Sequence, residues 1–157
     1  MFNIVLFHPE IPHNTGAAGR LAVATQATLH LIKPLGFSLD EKHLRRCGLD
    51  YWQHVDLKLW DSLEELEAAA APGARFWYLS TKAARSIWDA ELPLHAGDYL
   101  VFGPESKGLP ERWVFSHTET ALRIPMPGEH ARSLNLSTSV AIMLYEGLRR
   151  NLPQDTL

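Results

Sequence analysis

The sequence contains a single cysteine, Cys47, in 157 residues. That excludes an internal disulfide and suits a reducing compartment, where the thiol reads as a small core hydrophobe. No apolar run approaches the ~20 residues needed to span a bilayer. The opening MFNIVLFHPE lacks the basic stretch of a secretion signal. A soluble, cytoplasmic protein is the expectation. No G-x-x-x-x-G-K-[ST] occurs, and no G-x-G-x-x-G follows a strand pattern, so neither a P-loop nor a standard dinucleotide cradle is expected. The eight histidines are scattered, and no His, Cys or carboxylate spacing marks a metal site. Repeats, low-complexity tracts and linkers are absent too. Residues 1–157 therefore read as one domain around one core.

Positive charge is also in short supply. Fifteen Lys and Arg stand against eighteen Asp and Glu, for a net charge of -3. The sum argues mildly against a nucleic-acid partner, but distribution matters more than the sum. Arg outnumbers Lys ten to five, and the guanidinium fork matches phosphate geometry better than an ammonium does. Two clusters stand out: Lys42, His43, Arg45 and Arg46, and then Lys107 with Arg112.

What is present is an alternation of strand and helix. Asn3–Phe7 is an apolar β run that ends before Pro9 and Pro12. Asn14 and Thr15 are plausible caps for a helix reaching Ala24, with Leu21 and Ala24 inward. Leu29–Ile32 reads as a second strand, Leu39–Arg46 as a short basic helix, and Val55–Leu59 as a strand of period two. Asp61 or Ser62 caps a helix through Ala70. Phe76–Leu79 and Tyr99–Phe102 are buried strands, Pro110 opens a short helix, and Leu122–Ile124 is a final strand end. Near-continuous apolar strands separated by helices predict an α/β fold: a parallel sheet covered on both faces. The closing helix follows Ser133, Asn135, Ser137 and Thr138, small polar residues suited to a helix entrance. It carries Leu136, Val140, Leu144 and Leu148 on one stripe. Ala141, Ile142, Met143 and Tyr145 widen that stripe beyond one face, so a second copy of the chain is expected against it. The tail 151–157 is expected to fray.

In such sheets ligands sit beyond the carboxyl ends of the strands. Three loops qualify: HPEIPHNTGAAGR, FGPESKGLP and IPMPGEHARSLN. Each has Gly or Pro where the backbone must turn tightly or approach a ligand. The last also delivers a helix entrance whose free N–H groups favour a polar ligand. Arg20 suggests an anion contact, and Glu105 is the best-placed acid.

Taken in order, NTGAAGR, LVFGPESKGLP and IPMPGEHARSLNLSTSVAIMLYE resemble the three motifs of the SPOUT (class IV, trefoil-knot) RNA methyltransferases, in their ribose 2'-O branch. FNIVLFHPEIPHNTGAAGR and LRRCGLDYW resemble the small single-domain members that act on tRNA cytidine or uridine 34. The resemblance spans roughly residues 3–149. It implies a C-terminal deep trefoil knot (the alpha-beta knot), a homodimer, and S-adenosyl-L-methionine as cofactor with S-adenosyl-L-homocysteine as product. The implied substrate is the tRNA anticodon loop, with no metal and no membrane. It places Leu79, Gly103, Ile124, Met126, Ser133 and Leu134 around the cofactor. It places Arg20, Asn14, Glu105, Ser133 and Asn135 on polar catalytic positions.

The implied reaction is in-line methyl transfer from a sulfonium to the ribose 2'-OH of the wobble nucleotide, where alignment supplies much of the rate. A guanidinium is a poor base. The resemblance gives Arg20 the central catalytic role, in some members as the base. The chemistry of the guanidinium instead favours Arg20 fixing the adjacent phosphate and stabilising the developing alkoxide, with the proton leaving through phosphate, Ser133 or water. Lys42, Arg45, Arg46 and Lys107 are candidates for the RNA backbone. Tyr51 and Trp52 could stack a base or pack in the core. Alternatives are 2'-O-methylation of another RNA, methylation of a base, and a non-catalytic cofactor- or RNA-binding protein.

Overall fold

A computed structural model describes residues 1–40, 42 and 50–153. The expected basic helix over 39–46 falls largely outside these residues, as do His43, Arg45, Arg46 and Cys47. Lys42 is exposed, and its backbone N–H donates to the Asp40 carboxylate.

Among the described residues, seven strands form one sheet: β1 (Asn3–Phe7), β2 (Thr28–Ile32), β3 (Leu57–Trp60), β4 (Phe76–Leu79), β5 (Arg85–Ser86), β6 (Tyr99–Phe102) and β7 (Ala121–Arg123). Their order is β3-β2-β1-β6-β4-β7-β5, and every pairing is parallel. The helices are α1 (Pro12–Thr25), α2 (Leu63–Ala69), α3 (Glu111–Ser116) and α4 (Leu136–Asn151), with a 3-10 turn at Asp50–His54.

Strand side chains alternate between two faces, and each face has its own cover. Ile4, Leu6, Leu29, Leu31, Leu100 and Phe102 pack with Ala18 and Ala22 of α1 and with Val140, Met143 and Leu144 of α4. Val5, Ile32, Tyr78 and Val101 pack with Leu63 and Leu66 of α2 and Val114 of α3. Double coverage is why the strands read as continuous apolar runs. Ser62 caps α2 by accepting from the Glu65 N–H.

Several boundaries differ from the sequence reading. Asn14 and Thr15 do not cap α1. Ile11 holds the cap position without a side-chain bond and Pro12 opens the helix, because Pro at the first position costs no hydrogen bond. Asn14 and Thr15 are then buried inside it. Ala24 is exposed and Leu21 only half-buried; Ala18 and Ala22 face the core instead. β5 was not expected, since two residues carry no periodicity. The chain stays helical through Asn151, where the side chain donates to the Leu94 and Gly147 carbonyls. The segment 86–92 is held against α4 by Arg150, which donates to the carbonyls of Ile87, Asp89 and Leu92. Arg150 also pairs with Glu146 at 2.6 Å.

Among the described residues one imidazole is buried in the core. His30 on β2 accepts at Nδ1 from the Trp60 indole N–H (3.0 Å), and its Nε2 lies 3.0 Å from Asn3 Oδ1. The remaining Asn3 amide donates to the Gly97 carbonyl, so the neutral ring is fully satisfied. Burial, aided by the Lys58 charge, lowers its pKa from 6.5 to about 4. A proton on Nδ1 would also face the Trp60 donor.

This sets a pH dependence. The unfolded chain takes up the His30 proton below pH 6.5, whereas the folded chain refuses it until about pH 4. Stability from this group is therefore complete above 6.5 and declines as pH falls from 6.5 to 4, by about 3 kcal/mol in all. Urea unfolding across that window should show the decline, and the His30 ring resonance should stay flat down to pH 5. A ring midpoint near 6.5 would contradict this account.

Candidate functional site

The carboxyl ends of β1, β4, β6 and β7 open onto one cavity of about 430 Å³, within the ~300–1,000 Å³ range of small-molecule sites. Its apolar wall includes Leu79, Phe102, Ile124, Met126 and Leu134, and its polar wall includes Asn14, Ser80, Glu105, Ser133 and Asn135. All three sequence-predicted loops reach it. Every expected site residue lines it except Arg20, which lies on α1 six residues beyond Asn14, about 9 Å along the helix axis.

Gly103 explains the shape of the floor. The chain after β6 turns straight back, so that a Cβ on Gly103 would lie 2.2 Å from the Leu109 nitrogen and 2.3 Å from the Gly108 carbonyl carbon. Only glycine permits that approach. Gly108 adopts φ +68, closing the turn that brings its N–H to the Pro104 carbonyl.

Three residues of the polar wall, Glu105, Asn14 and Asn135, form one connected network. Both Glu105 carboxylate oxygens accept backbone N–H bonds, from Glu10 at 2.8 Å and from Ile11 at 3.0 Å. One of them also accepts from the Asn14 side-chain amide at 3.2 Å. Asn14 Oδ1 then accepts from Asn135 Nδ2 at 3.1 Å. Asn135 Oδ1 caps α4, accepting from the N–H groups of Ser137 and Thr138. Glu105 thus sits at the start of α1, where a negative charge is favoured and no residue of the helix's own first turn supplies one.

A reciprocal clasp was not legible in the sequence. Glu10 accepts from the Ser106 N–H and hydroxyl, which hold its carboxyl below the usual range. Its sole sequence signal is its place between Pro9 and Pro12, beside a loop reading Glu-Ser. Lys82, also in the wall, pairs with Glu111 of α3.

Arg20 is exposed, with its guanidinium carbon 5.1 Å from the centroid of the Tyr51 ring. Tyr51 donates its hydroxyl to the Gly16 carbonyl at 2.7 Å. Trp52 packs on Gly19, where a Cβ would come within 2.6 Å of the indole. Both aromatics therefore support α1 from the side.

Comparison with known proteins agrees with this architecture. A tRNA (cytidine(34)-2'-O)-methyltransferase from Saccharophagus degradans is 48% identical, over 96% of this chain and 96% of its own. A solved structure concerned with 2-OH methylation of C/U34 on tRNA superimposes with a TM-score of 0.86 at 47% identity, covering 96% of this chain and 95% of that one. The SpoU methyltransferase AviRb from Streptomyces viridochromogenes, in complex with the cofactor AdoMet, shares the fold at a TM-score of 0.74 and 22% identity, over 94% of this chain and 59% of its own. The SpoU rRNA Methylase family model matches residues 1–145. With β1 through most of α4 inside that match, the chain belongs to the SpoU rRNA Methylase family.

Proposed function

We propose that this chain is an S-adenosyl-L-methionine-dependent tRNA methyltransferase that acts on the ribose 2'-OH of the wobble nucleotide, cytidine or uridine 34, in the anticodon loop. The observation that carries this reading is the convergence of three motif loops on one cavity, in a chain nearly half identical throughout to relatives named for that activity. The cavity suits the donor. It offers an apolar slot between Leu79, Ile124, Met126 and Leu134, a floor opened by Gly103, and Ser133 at the α4 entrance.

When bound, the cofactor supplies a methyl group on a positively charged sulfur. The chain's own residues then orient and exclude. Leu79, Gly103, Ile124, Met126, Ser133 and Leu134 hold the donor. Asn14, Glu105 and Asn135 fix the wall through their mutual hydrogen bonds. Both Glu105 oxygens are engaged, so Glu105 serves as a rigid support rather than as a proton acceptor. Arg20 would bind the phosphate next to the acceptor ribose and stabilise the negative charge that develops on the 2'-oxygen as its proton leaves. The hydroxyl proton leaves through phosphate, Ser133 or water.

A trefoil thread belongs to the same reading. β7 enters the gap between β4 and β5, whose connecting segment precedes it in the chain. The segment from Ile124 to Asn135 then passes the loops after β4 and β6 to line the same cavity. A homodimer belongs to it as well. Beside the buried stripe of α4, Ile142 and Leu148 are half-buried and Tyr145 is 53% exposed. Sedimentation equilibrium should give twice the chain mass, and Tyr145→Glu should halve it. A monomer at micromolar concentration would overturn the pairing.

Methyl transfer from labelled cofactor to bulk tRNA should mark nucleotide 34 and block alkaline cleavage on its 3' side. Label on a base, in another RNA only, or nowhere, would sink the proposal. Arg20→Lys keeps the charge and loses the fork, so its turnover should drop about a hundredfold, on the order of 3 kcal/mol of barrier. Gly103→Ala forces the 104–108 turn outward. It should weaken S-adenosyl-L-homocysteine binding at least about tenfold by calorimetry, and unchanged affinity would exclude Gly103 from the donor site.

A further inference from the structure

Two guanidiniums of the described residues lie over rings, Arg20 over Tyr51 and Arg75 over Trp77, and of the two only Arg20 is expected to meet a phosphate. Among the ion pairs of the described residues, the partners of carboxylates are Lys33, Lys82, Arg85, Arg149 and Arg150. Arg20 takes an aromatic face instead. The difference is chemical. A carboxylate would occupy the guanidinium edge and compete with phosphate for it. A ring face attracts the cation through its quadrupole and leaves the five in-plane N–H donors available.

The ring is itself fixed to the helix that carries Arg20. The Tyr51 hydroxyl bonds the Gly16 carbonyl, one turn before Arg20 on α1, at the position that faces the Arg20 amide in helix geometry. Burial pushes the phenol pKa up, with the Arg20 charge opposing, so the hydroxyl stays a donor at neutral pH. The neighbouring Trp52 locks the same turn against Gly19. Tyr51 is half-buried while Arg20 is exposed, the arrangement of a platform under a working group rather than of a core tyrosine.

We propose that Tyr51 is a positioning residue for Arg20: its ring face holds the guanidinium flat and its edge outward, presented to an RNA phosphate. The inference rests on the reading of Arg20 given above. It assigns Tyr51 to the protein's own arginine and not to a nucleobase.

A graded test separates this from plain packing. Tyr51→Phe keeps the ring. Mono-, di- and trifluorinated phenylalanines at position 51 keep its shape while draining negative potential from its face. Single-turnover methylation of tRNA should remain within about threefold of the parent in Tyr51→Phe. It should then fall stepwise with fluorination, by about tenfold in total, while S-adenosyl-L-homocysteine affinity and melting temperature stay level. A flat series overturns the inference, because apolar packing is indifferent to ring electronics. Arg20→Ala is run in parallel. If it alone keeps full rate, the reading of Arg20 fails. If it collapses while the fluorinated series is flat, that reading stands and the role of Tyr51 is lost.

Discussion

Two asparagines hold the site together. Asn14 on α1 and Asn135 at the start of α4 are 121 residues apart, yet their side chains bond directly, and Glu105 completes the chain from a third loop. Each side-chain amide can donate and accept at once, so one short relay links a helix interior, a loop carboxylate and a helix cap. Asn14 is buried, so orphaning its side-chain amide would cost about 1–3 kcal/mol, whereas Asn135 is exposed and Glu105 half-buried. The link at Asn14 therefore depends on all three segments meeting. That makes the cavity wall a consequence of the complete fold rather than of any one loop.

The sheet order supports the same conclusion. β7 pairs with β4 on one side and β5 on the other, so its insertion completes the sheet at the edge where the cavity opens. Arg150 then draws segment 86–92 onto the far end of α4 through four backbone carbonyls. One end of α4 is thus fixed by the Asn135 cap and the other by Arg150. A helix held at both ends presents its entrance to the cavity in one orientation, which is what alignment of two reacting groups requires.

The sequence was most legible where one local rule decided the outcome. The apolar runs at 3–7, 76–79 and 99–102 read as strands and are strands, whereas Gly103, expected to let the backbone approach a ligand, is packed against the chain's own backbone at 108–109. Asn135 read as a cap and is one. Asn14 read as a cap too, and is instead a buried link. The same residue type serves both purposes, and the Pro12 start that decided between them is a competing signal of equal strength. The Glu10–Ser106 clasp and the Tyr51–Arg20 contact depend on segments tens of residues apart, which no local pattern encodes. The knot, the cofactor and the substrate came from resemblance across three motifs, because chain threading has no periodicity to read.

Electrostatics explains how a chain with net charge -3 can serve an anionic polymer and a cationic donor together. Free lysines in the cavity wall would repel a sulfonium. Lys82 instead pairs with Glu111, and Lys107 lies near enough to Glu10 to stabilise its carboxylate. Glu105 accepts three N–H donors but has no cation beside it. Two lysines therefore stand against three carboxylates around the cavity, a slight negative excess that favours a positive donor. Arg20 stands apart, exposed on α1, and among the described residues it lies over a ring face and pairs with no carboxylate. The Arg20 backbone stands about 9 Å along α1 from Asn14, so only the end of its long side chain would need to reach the acceptor ribose, and its phosphate contact lies outside the pocket that holds the sulfonium.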